Sequence, residues 1–269
     1  MITDSQIDQV QALMREAAGT LILPRYQRLA QDEIDTKTSP TDLVTVADRE
    51  AEEWLTPRLM ELLPGSVVVG EEAASADRSV LNRLHGEAPV WLVDPVDGTA
   101  NFVDGKREFG VMVALVERGV TLAGFIYAPV EDVMAVAMAG QGATLDGAAL
   151  RGRQNISFDG AFGDYSSKYV EPPLREHLLA AVKASAGTRS GHCSAYAYLD
   201  AARGRVDYVL QYLMSPWDHA AGTLLVTEAG GAARFLDNGE AYSPIPRAAR
   251  AALIVGDAGR WESYREEIQ

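Results

Sequence analysis

The chain has 269 residues, of which 47% are hydrophobic and 23% are charged, so its length and composition suit one large globular domain or two smaller ones. Its formal net charge of −14, with a pI near 4.7, makes nucleic acids and anionic membranes poor partners. No stretch approaches the ~18 uninterrupted apolar residues of a membrane-spanning helix. The only cysteine, Cys193, excludes an intrachain disulfide and predicts a protein of the cytoplasm.

Two helices and a short strand are predicted in the first 72 residues. Apolar residues at helical spacing predict a helix over residues 4–23. A second helix is predicted to begin near Asp48, as its N-cap, and to end before Pro64. The apolar run at residues 67–69 predicts a strand that ends at the Glu71-Glu72 pair.

The next predicted strand, residues 90–93, runs into an acid. Pro95 has no backbone N–H, so we expect the chain to leave the sheet at Asp94. Asp97 is expected near the N-cap of a following helix, whose free N–H groups could seat a phosphate. Two carboxylates ~5 Å apart would repel each other by about 3 kcal/mol at an effective dielectric constant of ~20. A divalent cation would remove this repulsion.

The rest of the chain predicts a change of architecture near residue 150. Alternating residues predict antiparallel hairpins, so the first half, about 1–150, should contain an antiparallel sheet. These predicted strands are residues 111–116, 121–127, 133–138 and 143–150, the last with a turn at Asp146-Gly147. The second half, about 151–269, predicts helices alternating with a smaller sheet. Its predicted strands are 162–165, 206–210, 233–236 and 251–255, and its predicted helices are 173–184, 194–202, 217–228 and 259–267. With no linker evident, residues 1–269 are interpreted as one catalytic unit.

Acidic residues follow predicted elements at four places. They are Asp48, Glu71-Glu72, Asp94 with Asp97, and Asp218. Each alone could be a helix cap or a solvated charge. Together they need a counter-charge, and no Lys or Arg lies nearer to Asp97 along the chain than Lys106. Carboxylates without paired histidines or cysteines favour Mg²⁺ or Mn²⁺ over zinc.

The spacing of Asp94 and Asp97 also argues against one catalytic mechanism. Aspartyl-phosphate hydrolases of the haloacid-dehalogenase type use Asp-x-Asp-Gly-Thr. Here the spacing from Asp94 to Asp97 is one residue longer, which redirects the first carboxylate. The sequence therefore argues against covalent aspartyl catalysis.

Four motifs resemble those of the inositol monophosphatase family of metal-dependent, lithium-sensitive phosphatases, in the family's order and spacing. They are Asp42-Leu-Val-Thr-Val-Ala-Asp48, Gly70-Glu71-Glu72, Asp94-Pro-Val-Asp97-Gly-Thr-Ala-Asn-Phe102, and Trp217-Asp218-His-Ala-Ala-Gly222 with Val226-Thr-Glu-Ala-Gly-Gly231. The resemblance implies a layered α/β/α/β/α sandwich. It also implies in-line attack of a metal-bound water on a phosphomonoester without a covalent intermediate.

Carried over residue by residue, the resemblance implies a metal and phosphate site. One Mg²⁺ would be held by Glu71, Asp94 and the carbonyl of Val96. A second would be held by Asp94, Asp97 and Asp218, and a weaker third by Glu71 and water. The implied catalytic residues are Thr99, Asp48 and Glu71. Thr99, hydrogen-bonded to Asp48, would orient and help deprotonate the attacking water. Phosphate would contact the N–H groups of Gly98 and Thr99, and Lys37 would approach the phosphate or an outer water.

The substrate is less determined, because two places depart from the family's pattern. Gln211 stands where inositol-specific members have a glutamate that binds hydroxyls. His192 and Cys193 change a wall that is usually built of small residues. An inositol-phosphate-like polyol is the main expectation, with histidinol phosphate, a sugar phosphate or an adenosine 3′(2′),5′-bisphosphate as alternatives.

Two further expectations concern partners. A regulatory module that binds a protein or RNA is the non-enzymatic alternative, although the net charge argues against RNA. A homodimer is implied by the resemblance alone.

Overall fold

The computed structural model describes residues 2–37, 43–167, 170–212, 215–246 and 250–269, and Asp42 of the first motif lies outside them. Its helices are α1 (Asp4–Ala17), α2 (Val46–Leu62), α3 (Glu71–Ala76), α4 (Thr99–Val103), α5 (Pro172–Val182), α6 (Ser194–Ala202), α7 (Pro216–Glu228) and α8 (Trp261–Ile268). Its strands are β1 (Ile34–Thr36), β2 (Leu43–Thr45), β3 (Val67–Gly70), β4 (Val90–Asp97), β5 (Gly110–Glu117), β6 (Val120–Ala128), β7 (Val133–Met138), β8 (Gly142–Leu145), β9 (Ala148–Ala149), β10 (Phe162–Tyr165), β11 (Gly187–Arg189), β12 (Tyr208–Tyr212), β13 (Ala232–Phe235) and β14 (Ala251–Val255). None of these helices is long and apolar enough to cross a membrane.

The larger sheet has seven strands in the order β3-β4-β5-β6-β7-β8-β9. Strands β3 and β4 are parallel, and every following pair is antiparallel. The predicted hairpins and the turn at Asp146-Gly147 are therefore confirmed. The sheet as a whole is mixed, because β3 is parallel to β4, and it is antiparallel from β4 to β9.

The smaller sheet has five strands in the order β11-β10-β12-β14-β13. Strand β10 is parallel to both β11 and β12, whereas β14 is antiparallel to its two neighbours. The predicted helices of the second half are confirmed to within a few residues. The edge strand β11 was not predicted, because its three residues, Gly-Thr-Arg, carry no apolar pattern.

The chain forms five layers, which confirms the predicted α/β/α/β/α sandwich. Helices α1 and α2 pack on the outer face of the larger sheet, and α6 and α7 lie between the two sheets. Helices α5 and α8 cover the far face of the smaller sheet. The apolar residues on both faces of strand β5 explain why helices cover both sides of the larger sheet. Val111, Val113 and Leu115 face α1 and α2, while Met112, Ala114 and Val116 face the inner helices, so both faces of this strand are apolar.

The prediction that the chain leaves the sheet at Asp94 is wrong, since β4 continues to Asp97. Strand β3 ends at Gly70, opposite Val93, so β4 has no partner on that side beyond this point. On the other side the register with β5 shifts between Asp94 and Asp97. Neither neighbour therefore requires an N–H from Pro95, and the proline is accommodated in an irregular strand end.

One predicted helix cap also differs from the structure. Helix α2 is capped by Thr45, and Asp48 is its third residue, which completes a capping box by accepting from the Thr45 N–H at 2.9 Å. Asp97 directly precedes Gly98, the N-cap of helix α4, which agrees with the prediction of an acid near that N-cap. Helix α1 ends at Ala17, and a π-helical turn (Ala18–Ile22) completes the predicted helix of residues 4–23.

Candidate active site

The two parallel strands of the larger sheet place the first acids side by side. Gly70 at the end of β3 is in register with Val93 of β4. The next residues, Glu71 at the start of α3 and Asp94 within β4, therefore lie side by side just beyond the last paired residues of β3 and β4. Asp218, in the first turn of the inner helix α7, reaches the same place from the middle layer. The carboxylate oxygens of Glu71, Asp94 and Asp218 lie within 4.8 Å of one another.

The electrostatics of this acid cluster make a cation favourable. Burial, followed by the charges of Glu71, Asp97 and Asp218, raises the pKa of Asp94 well above its ordinary value. Burial and the charge of Glu71 likewise raise the pKa of Asp218. The donors are all oxygens, as a hard divalent cation such as Mg²⁺ requires. The residues present therefore fit that ion.

Asp97 stands beside this cluster and has a second set of partners. Its Oδ2 atom accepts hydrogen bonds from the Ala195 N–H at 2.7 Å and from the Cys193 thiol at 2.8 Å. Burial raises the pKa of Asp97 to about 6, although these hydrogen bonds oppose the rise. Asp97 thus holds the start of α6 with one oxygen. Its assignment to the second metal ion stays a prediction.

The predicted contact between Thr99 and Asp48 is present. The Thr99 hydroxyl lies 3.1 Å from Asp48 Oδ1 and 3.0 Å from the carbonyl oxygen of Val96. The other Asp48 oxygen accepts from the backbone N–H and the hydroxyl of Thr45. Burial raises the pKa of Asp48 to about 7, against the effect of the Thr45 hydrogen bond. The role of Thr99 in orienting water stays a prediction.

Gly98 makes the sharp turn between β4 and α4. Its φ of +85° lies in the left-handed region. A Cβ at this position would lie 3.0 Å from the Glu108 carbonyl oxygen and 3.1 Å from Cys193 Cβ. Only glycine fits both the backbone conformation and the space.

Lys37 is the cation that the structure places at the acid cluster. Its Nζ lies 2.8 Å from Glu71 and 2.6 Å from Glu72. Burial alone would lower the pKa of Lys37, but the charge of Glu71 and the hydrogen bonds to both glutamates raise it. Lys106, the nearest cation along the chain, pairs instead with Asp104 at 2.9 Å.

A cavity of about 610 Å³ opens over the acids. Glu71, Asp94, Asp97 and Asp218 line one part of it. The predicted substrate residues line another part, with Gln211 at the end of β12 and His192 in the segment before α6. His192 has a φ of +52°, which is uncommon for a residue with a side chain.

An ion pair that was not predicted from the sequence supports the part of the cavity wall that contains His192. Asp164, a buried residue of β10, lies 3.1 Å from Arg189 of β11, which also bonds Asp200 of α6. Arg189 therefore joins the end of β11, three residues before His192, to β10 and to α6. An acid inside the predicted strand of residues 162–165 was the available signal, since a charge in a buried strand needs a partner.

The model of the inositol monophosphatase family matches residues 4–266. The inositol-1-monophosphatase of Bacillus subtilis is 33% identical over 84% of each chain. The Nus factor SuhB of Escherichia coli is 31% identical over 84% of this chain and 83% of its own. Among solved structures, an inositol monophosphatase of Thermotoga maritima superposes with a TM-score of 0.81 at 25% identity, covering 98% of this chain and 96% of the other.

Proposed function

Because the chain belongs to the inositol monophosphatase family, we propose that it is a Mg²⁺-dependent phosphomonoesterase that acts on a small phosphorylated polyol of the inositol phosphate type. The observation that carries the proposal is the approach of three carboxylates, Glu71, Asp94 and Asp218, to within 4.8 Å. Without a cation, three carboxylates so close together, with Asp94 buried and the other two partly buried, would be strongly unfavourable.

The assignment of ligands follows the donors around this cluster. Glu71, Asp94 and the carbonyl of Val96 would hold one ion. Asp94, Asp97 and Asp218 would hold the second, with a weaker third ion at Glu71. When bound, Mg²⁺ lowers the pKa of a coordinated water and offsets the negative charge of the phosphate and of the leaving oxygen. This local positive charge also allows an acidic protein to bind an anion.

The chain's own residues position the reactants. With its hydrogen donated to Asp48, the Thr99 oxygen keeps a lone pair that can accept a hydrogen bond from the attacking water. The amides of Gly98 and Thr99 would bind the phosphate oxygens. Lys37 would contribute positive charge at the edge of the phosphate site once Glu71 is engaged by an ion. The attack would be in line, without a covalent intermediate.

Specificity would depend on the opposite wall of the cavity. Gln211 can donate to and accept from hydroxyls without adding a charge. His192 adds an imidazole that can stack on a ring or accept a hydrogen bond. These two residues keep histidinol phosphate, a sugar phosphate and an adenosine bisphosphate in consideration beside inositol phosphate.

The organisation of the whole protein is part of the proposal. Helices α6 and α7 pack against both sheets, which supports one catalytic unit over residues 1–269. We place this unit in the cytoplasm as a homodimer, in line with the expectations from the sequence.

A second candidate comes from the relatives. The Escherichia coli relative is named a Nus factor, so this chain could bind a regulatory partner. The net charge of −14 favours a protein partner over RNA. The complete acid cluster favours catalysis over this alternative.

The test is phosphate release from a panel of substrates. The panel contains myo-inositol 1-phosphate, histidinol phosphate, a hexose phosphate and adenosine 3′,5′-bisphosphate, each with Mg²⁺ and with EDTA. We expect turnover of at least one ester in Mg²⁺ and its loss in EDTA. Turnover that ignores the metal, or none on any ester, contradicts the proposal. A stoichiometric protein partner recovered together with an inactive chain would favour the second candidate.

A further inference from the structure

Glu52 is a buried acid of α2 that the proposed mechanism does not use. Its two carboxylate oxygens accept backbone hydrogen bonds from the first turn of α3. The Glu72 N–H lies 2.7 Å from Oε2, and the Ala73 N–H lies 2.8 Å from Oε1. When Glu52 is ionised, both are charge-assisted bonds to the first turn of a helix, which makes them stronger than bonds between neutral groups.

The packing around this carboxylate leaves no freedom for it to move toward β3. A Cβ at Gly70 would lie 2.2 Å from Glu52 Cδ and 2.4 Å from each carboxylate oxygen. Gly70 has a φ of −97°, which any residue can adopt. The glycine is therefore required by space and not by backbone conformation. The carboxylate of Glu52 fills the volume that a side chain at position 70 would take.

These contacts fix the backbone on both sides of Glu71. The residue before it, Gly70, is held in register with Val93 of β4. The peptide N–H after it, that of Glu72, is held by Glu52. Glu71 can therefore neither rotate its backbone nor slide along the edge of the sheet without breaking one of these contacts.

Glu52 also links the two halves of the site. Asp48, which holds Thr99, lies one turn earlier on the same helix. Through these two buried acids, α2 sets both the Thr99 hydroxyl and the backbone of Glu71. The side chain of Glu71 also forms an ion pair with Lys37, at 2.8 Å.

We propose that Glu52 is a positioning residue for the metal site, which holds the backbone of Glu71 so that its carboxylate points at Asp94 and Asp218. Glu71 is a metal ligand under the proposed function, and the assignment of Glu52 rests on it. A residue that merely caps a short helix would affect stability but leave the metal affinity unchanged. A positioning residue changes the metal affinity.

The test compares two neutralising substitutions on neighbouring residues of α2. Glu52→Gln places an amide NH₂ against one of the two N–H donors and removes the charge. Glu53→Gln makes the same chemical change on the exposed face. We expect Glu52→Gln to weaken Mn²⁺ binding to the metal-free protein, measured by calorimetry, by about 10- to 100-fold. The Mg²⁺ concentration for half-maximal activity should rise equally, while KM at saturating Mg²⁺ changes less than about twofold. Glu53→Gln should behave as wild type.

A second variant perturbs the same contact from the other side. In Gly70→Ala the new methyl group displaces the Glu52 carboxylate, and we expect the same loss of Mn²⁺ affinity. This variant keeps the test decisive if Glu52→Gln does not fold. Wild-type Mn²⁺ affinity in a folded Glu52→Gln or Gly70→Ala protein would overturn the assignment, even with a lowered Tm.

The outcomes also separate this assignment from the proposed function. A wild-type protein that hydrolyses no phosphomonoester but binds Mn²⁺ would refute the function. Weaker Mn²⁺ binding in Glu52→Gln would then still support the positioning role. An active wild-type enzyme with unchanged Mn²⁺ binding in Glu52→Gln would refute the positioning role alone.

Discussion

Substitution of Asp94 by asparagine should make the metal-free protein more stable and the enzyme inactive. Asp94 is 2% exposed, and its carboxylate lies within 4.8 Å of those of Glu71 and Asp218. Its Oδ1 atom accepts the Val96 N–H at 3.1 Å, and the Oδ1 atom of asparagine can do the same. Asp94→Asn therefore removes a charge while it keeps the shape and this hydrogen bond.

The size of the effect follows from the distances. Two full charges 4.8 Å apart repel each other by about 3.5 kcal/mol at an effective dielectric constant of ~20. Asp94 faces two such neighbours, but the raised pKa values of Asp94 and Asp218 mean that part of this repulsion is already relieved by protonation near neutral pH. We therefore expect a gain of about 1–3 kcal/mol in the free energy of unfolding in EDTA, or about 2–4 °C in Tm for each kcal/mol.

The assay is thermal unfolding in EDTA and in Mg²⁺, together with kcat. Wild type should be stabilised by Mg²⁺, because the ion binds only the folded protein. Asp94→Asn should be more stable than wild type in EDTA, gain little from Mg²⁺, and lose kcat by at least about 1000-fold, since it removes the ligand that the proposed function assigns to both ions. The exposed change Asp8→Asn is the control. A variant less stable than wild type in EDTA, or one with unchanged kcat, would refute the electrostatic account of the cluster.

Two other predictions concern pH and the water-orienting hydroxyl. Burial raises the pKa of Asp48 and Glu52 to about 7 and that of Asp97 to about 6, so the folded protein binds protons more tightly than the unfolded chain. The stability of the folded protein in EDTA should consequently be highest near pH 4–5 and fall as the pH rises to about 8. Mg²⁺ should flatten this fall. A Tm in EDTA that rises with pH over this range would contradict the assigned pKa shifts. Thr99→Val should lower kcat by about 100-fold with little change in KM or in Tm, and Thr99→Ser should retain most of the activity; equal losses in both variants would show that the hydroxyl is not what matters.

The layered fold could be predicted because its signals are local and repeated. Residues 111–116 form a continuous apolar run that belongs to a strand buried on both faces, and β5 is such a strand. The paired hairpins and the helix 194–202 were predicted for the same reason. The predicted end of the strand at Asp94 was wrong, because a proline in the sequence shows only that its own backbone N–H is missing. Whether that N–H is needed depends on where β3 ends and on the register with β5.

The acids of the site could be predicted as a group, but their individual partners could not. Glu71 and Asp94 follow apolar strands, and that pattern is visible in the sequence. The pairing of Lys37 with Glu71 joins residues 34 positions apart. The hydrogen bond from Ala195 to Asp97 joins residues 98 positions apart. No periodicity connects such positions, so these contacts depend on how the layers stack.

The two hydrogen bonds that Asp97 accepts determine how variants of this site should be interpreted. The Oδ2 atom of Asp97 accepts hydrogen bonds from the Cys193 thiol and the Ala195 N–H. These residues come one and three positions after His192, which lines the cavity. A substitution at Asp97 would therefore loosen the wall and the metal site together, and KM and metal affinity would change in the same variant. The partners of Asp94 are the carboxylates of Glu71 and Asp218 and the Val96 N–H. Asp94→Asn thus tests the proposed metal site alone, whereas an Asp97 variant measures the coupling between that site and the residues proposed to select the substrate.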